Sequence, residues 1–140
     1  MSIIQKNRFS DKLGDYSRAI IGEPGIGKTT VLYEVCEKLY GSEGYVFFNC
    51  GREQGVDCID GIRYVSVPDY ETFAKTCNEL IENKETEYPD LKNVIIDTLD
   101  QLIEYTEPYV VKLWNYQNRG QEKFVAVTSI NTVFGDFFKG

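Results

Sequence analysis

The sequence predicts an α/β fold, a mainly parallel sheet flanked by helices in three layers, and three observations carry that prediction. Short apolar runs alternate with amphipathic helical patterns, the order that builds a parallel sheet covered on both faces. A glycine-rich turn joins the first apolar run to the first helix. The run "NVIID" is continuously apolar up to its closing aspartate, as a strand covered on both faces should be.

Taken in order, "SRAIIG" reads as a short buried strand ahead of the turn. "KTTVLYEVCEKLYG" then places Val31, Leu32, Val35, Cys36 and Leu39 on one helical face, with Gly41 as its stop. "YVFFNC" is a second strand after the turn "GSEG", and "GIRYVSV" alternates as a third. Pro68 and Asp69 open a helix whose Phe73, Ala74, Cys77, Leu80 and Ile81 share a face. "NVIID" follows as a strand, after which Leu99, Leu102, Ile103, Val110 and Leu113 keep helical spacing. Pro108 should kink that helix or restart it. The predicted order is β-α-β-β-α-β-α. The segment from Phe124 to Ser129 fits either a further strand or a loop leading to a helix at Gly135, and periodicity does not separate the two.

The 140 residues suit one domain spanning 1–140, with 42% hydrophobic and 26% charged residues. No apolar run approaches the ~20 residues that span a bilayer, and the start "MSIIQKNRFSDK" lacks a signal-peptide core, so the expected compartment is the cytoplasm with no membrane partner. Cys36, Cys50, Cys58 and Cys77 form no C-x-x-C pair, which reads as reduced, mostly buried thiols. There is no histidine, so Ser-His and Cys-His nucleophiles are excluded and any chemistry must run on carboxylates, lysine and metal. Net charge is −7, with eleven acids against three lysines between Asp69 and Pro108, so a polyanion would be met elsewhere.

Gly22, Gly27, Lys28 and Thr29 fit G-x-x-x-x-G-K-[ST] between a predicted strand and a predicted helix, the context in which that pattern holds phosphate. Glycines at 22, 25 and 27 let successive amides turn inward, and the helix adds its positive end. Lys28 would reach the β- and γ-phosphates, while the Thr29 hydroxyl would ligate a bridging Mg2+. Asp97, at a strand end, is the predicted metal-side carboxylate, although alone it would read as a helix cap. Hydrolysis needs a further acid to orient water. Glu53, just beyond the second strand, and Asp100, one turn after Asp97, are the candidates; each equally suits a surface acid.

The set "IIGEPGIGKTT", "DGIRYVSVPDYETFAKTCNELIEN" and "NVIIDTLDQL" resembles the phage-type AAA/RecA-like ATP-binding proteins over most of the chain. The resemblance implies a RecA-like P-loop NTPase fold. It makes Gly22, Glu23, Pro24, Gly25, Ile26, Gly27, Lys28, Thr29 and Thr30 the Walker A element, and Asp97 the end of the Walker B strand. ATP in preference to GTP, Mg2+ and, through the full-length protein, single-stranded DNA are the implied ligands, since some members look like recombinases. A homo-oligomer is allowed, with an arginine supplied by a neighbouring subunit.

Two departures accompany the resemblance. Where relatives tend to carry an acidic D-T-E cluster after the second strand, this chain has Asn49, Cys50 and Gly51, with Glu53 displaced by two. Relatives also continue beyond "FGDFFKG", which predicts a core lacking its C-terminal strands. In RecA-like sheets the strand after Walker B lies between the two motif strands. If residues 124–129 do not fill that place, the sheet has a gap, at about 1–3 kcal/mol for each buried orphan group.

Other functional readings stay open at this level. A small-molecule or nucleotide kinase shares the loop, but its usual arginine-rich lid has no counterpart among Arg8, Arg18, Arg52, Arg63 and Arg119. A non-hydrolysing nucleotide-binding assembly module would keep the loop and lack the water-orienting acid. Trp114, Tyr116, Arg119 and Lys123 combine aromatic and basic groups suited to single-stranded nucleic acid, while Trp114 also fits the apolar face of its helix.

Overall fold

The computed structural model describes residues 17–51, 55–121, 125–126 and 128–129. Helix α1 (Lys28–Tyr40) leads to strand β1 (Tyr45–Cys50), a 3-10 turn at Val56–Cys58 and strand β2 (Tyr64–Val67). Helix α2 (Tyr70–Glu82), strand β3 (Asn93–Asp97) and helix α3 (Leu99–Asn118) follow. The strands form one parallel sheet in the order β2-β1-β3, with Phe47 opposite Tyr64 on one side and Ile95 on the other.

β1 is central because its sequence satisfies both faces at once. Successive side chains of a strand point to opposite faces. Tyr45 and Phe47, both fully buried, meet Cys36, Leu32, Tyr33 and Tyr40 of α1, joined by Ile95. Val46, Phe48 and Cys50 point the other way, onto Phe73, Cys77 and Leu80 of α2 and Leu102 and Tyr105 of α3. The result is three layers, with α1 on one face and α2 and α3 on the other, as the α/β reading predicts. The buried Tyr45 hydroxyl donates to Glu37 Oε1 at 2.6 Å, tying α1 to the sheet, and burial pushes that phenol's pKa up.

α2 begins where the sequence places it. Asp69 Oδ1 accepts the Thr72 backbone N–H at 2.7 Å, a side-chain N-cap. That amide holds the Asp69 carboxyl below its ordinary value of 3.8. A depressed folded-state pKa contributes stability above the unfolded value, lost as pH falls through the folded one. Urea midpoints should therefore drop as pH is lowered below 3.8, and Asp69→Asn, which keeps the cap without the charge, should flatten that part of the pH profile. An unchanged profile in the variant would remove Asp69 as its source.

Four expectations are corrected or narrowed. Residues 17–22 are not a strand, and Ile20 and Ile21 are 47% and 95% exposed. A strand needs a neighbour, and this apolar run pairs with none of the three described strands, so it has composition without a partner. The described order is accordingly α-β-β-α-β-α. Ile81, assigned to the buried face of α2, is 74% exposed, because at ~100° per residue it lies to one side of the stripe Phe73, Cys77 and Leu80 that packs on the core.

β3 is covered only in part. Val94 is exposed, since β3 is an edge strand among the described residues. Lastly, α3 does not restart at Pro108 but runs through it as one helix. The Glu104 carbonyl there loses its partner on an exposed side, where water can replace it, and Thr106 Oγ1 donates to the Ile103 carbonyl at 2.6 Å in the same turn. Val125, Ala126, Thr128 and Ser129 belong to no strand, in line with the loop alternative; Phe124, Val127 and the helix expected at Gly135 lie outside the described residues.

Candidate functional site

The glycine turn reaches α1 through two left-handed residues, Gly25 at φ 78° and Gly27 at φ 97°, angles that a side chain would strain. Gly27 is the helix N-cap residue, and no side chain caps α1. The first helical hydrogen bond runs from the Val31 N–H to the Gly27 carbonyl at 3.0 Å, so the amides of Lys28, Thr29 and Thr30 precede the helical ladder. No acid occupies the first turn. Uncapped amides and an unopposed helix dipole favour an anion at this end.

Lys28 Nζ folds back across the turn and donates to the carbonyls of Gly22 and Glu23, each at 2.8 Å. The ammonium thus fixes the loop as a ring while staying at its exposed mouth. Thr29 Oγ1 donates to Asp97 Oδ2 at 2.6 Å, across 68 positions of sequence. This bond joins the start of α1 to the C-terminal end of β3, so the glycine turn and the strand-end carboxylate meet as expected.

Strand register explains why. Asn49 pairs with Asp97, and alternation turns both to the face that α1 covers, along with Phe47 and Ile95. Cys50 points to the opposite core; its thiol pKa is raised by burial and then by the nearby Asp97 carboxylate, which keeps it protonated and removes thiolate chemistry. The place beside Asp97 is therefore held by the Asn49 amide, which can orient water but cannot take its proton.

The oxygen donors fit a hard cation. Because the Thr29 proton is committed to Asp97, the hydroxyl's lone pairs remain to accept an ion, and the carboxylate supplies charge beside it. Among the described residues no three or more of Asp, Glu, Cys and His cluster as a metal cage, so an ion here would complete its shell with ligand oxygens and water, the habit of Mg2+.

Asp100 lies exposed in the first turn of α3. Glu53, Arg52, Arg8 and Lys123 lie outside the described residues. Arg63 pairs with Glu43 at 2.9 Å, and Arg119 stacks 4.2 Å from the Tyr116 ring centre at the end of α3. A groove of ≈ 450 Å³ lined by Val46, Tyr64, Val65, Leu80 and Leu91 shares no residue with the glycine loop.

Sequence reasoning placed Glu53 in the segment that follows β1 but missed what its two glycines do. Gly51 sits at φ 106° against Gln101 of α3, and Gly55 lies against Thr29. Only the spacing of the two glycines in "GREQG" hints at them.

The sequence matches the family described as AAA domain over residues 15–132. No curated protein and no solved structure matches it.

Proposed function

The chain belongs to the AAA domain family, within the P-loop NTPase superfamily, and on that premise we propose that it binds ATP with Mg2+ and hydrolyses it in the service of phage DNA recombination or replication. The observation that carries the reading is the Thr29–Asp97 hydrogen bond, which brings a glycine-lysine-threonine turn and a strand-end carboxylate to one point. In this reading the amides at the start of α1 hold phosphate oxygens. The Lys28 ammonium leaves the Gly22 and Glu23 carbonyls for the β- and γ-phosphates. Thr29 and Asp97 hold Mg2+, which when bound offsets charge developing on the transferred phosphoryl group. Glu53 or Asp100 orients the attacking water. Single-stranded DNA, met through Tyr116 and Arg119 with Trp114 and Lys123, is the proposed polymer partner, and oligomer formation would let one subunit complete another's site.

A second reading, a nucleotide-binding assembly module without turnover, is favoured by Asn49 in the position beside Asp97. One experiment separates them: titrate ATP and GTP with Mg2+, then measure phosphate release with and without single-stranded DNA. Tighter binding of ATP than GTP, with release that rises on adding DNA, is the expected result. Binding without release selects the module, and label appearing on a nucleoside acceptor selects a kinase. Absence of ATP binding rejects all three.

A further inference from the structure

Gly55 begins the 3-10 turn after β1 at φ −58° and ψ −37°, ordinary right-handed helical angles that any residue adopts. Nothing in its backbone calls for glycine, and alanine in its place would reduce the freedom of the unfolded chain. Space is what calls for it. A Cβ built on Gly55 would lie 2.8 Å from Thr29 Oγ1, 3.3 Å from Thr29 Cβ and 3.6 Å from Thr29 Cγ2. The first of these is a distance that real Cβ atoms do not tolerate, and the atom met is the hydroxyl that donates to Asp97.

That hydroxyl has little room to yield. Thr29 is half-buried in the first turn of α1, where a β-branched side chain has few rotamers. Its proton points to Asp97 Oδ2 at 2.6 Å, so displacement breaks the bond that orients the lone pairs. We infer that Gly55 is a positioning residue: its missing side chain lets the turn after β1 lie directly on Thr29 and keeps that hydroxyl on Asp97. The functional consequence, loss of Mg2+-dependent nucleotide affinity when the space is filled, rests on the function proposed above. Groups that orient metal ligands typically change metal affinity by about 10–100-fold when altered.

The test uses the full chain as wild type, Gly55→Ala, Thr29→Ala and the double variant, read in two ways. In urea unfolding without nucleotide, Gly55→Ala should lower the midpoint in the Thr29 background. It should lower it much less in the Thr29→Ala background, where the hydroxyl is gone and only the 3.3 Å approach to Cβ remains. In calorimetric titrations, the ratio of ATP affinity with Mg2+ to that in EDTA should fall about tenfold or more in Gly55→Ala.

Equal midpoint changes in the two backgrounds overturn the inference, as does an unchanged affinity ratio in a chain that binds ATP. Should Gly55→Ala fail to fold while the double variant folds, the same coupling is read as all or none and supports it; failure of both overturns it. If wild type binds no ATP, the proposed function fails, and the unfolding cycle still decides whether Gly55 positions Thr29.

Discussion

Phe47→Ala is expected to leave much of the chain unfolded in dilute denaturant. Phe47 is fully buried at the middle of β1, flanked by Tyr64 and Ile95 on the neighbouring strands. Its ring stands edge-on to Tyr45, with centroids 5.8 Å apart, and the pair forms the surface on which α1 rests. Truncating such a phenylalanine costs about 3–5 kcal/mol. A domain's whole stability is only about 5–15 kcal/mol. Circular dichroism through a urea titration checks it, with Ile81→Ala as comparison. That residue is 74% exposed, so its midpoint should barely move. Similar shifts for the two variants would contradict the assignment of the core.

Lys28→Ala should abolish ATP binding at concentrations where wild type is saturated, with the fold retained. Among the described residues, Lys28 Nζ bonds the Gly22 and Glu23 carbonyls, whereas α1 is held by Leu32, Tyr33, Cys36 and Tyr40 further along. A hydrogen bond to a charged group is worth about 1.5–3 kcal/mol, so losing contacts to two phosphates costs roughly 3 kcal/mol or more. That is about a hundredfold in affinity. Titration calorimetry beside a thermal melt gives the answer. A variant that melts like wild type and still binds ATP within about threefold would exclude Lys28 as a phosphate contact.

The glycine turn and the strand end that meet at the candidate site were legible because each is a local pattern. The glycine-lysine-threonine spacing describes one turn and the start of one helix, and "NVIID" describes one strand end; each is stabilised by neighbours in sequence. Asp69 was legible for the same reason, since a cap reaches only three residues on. The strand expected at residues 17–22 was not, because strand formation depends on a partner and no local pattern reports which edges are taken. Pro108 does not restart the helix for a related reason: the cost of a missing amide depends on whether the orphaned carbonyl meets water, and on α3 it lies on an exposed side.

By itself the sequence determined the alternation of strands and helices, the central burial of "YVFFNC", and a glycine-rich turn ahead of α1. All of these follow from periodicity and from the backbone angles that particular residues permit. The tertiary structure alone decided that Thr29 meets Asp97, that Asn49 stands beside it, and that Gly55 must lack a side chain. The physical reason is distance along the chain. Those contacts join residues far apart in sequence, 68 positions for Thr29 and Asp97, and they exist only once parallel pairing fixes the register of β1 and β3 and sets α1 against their ends.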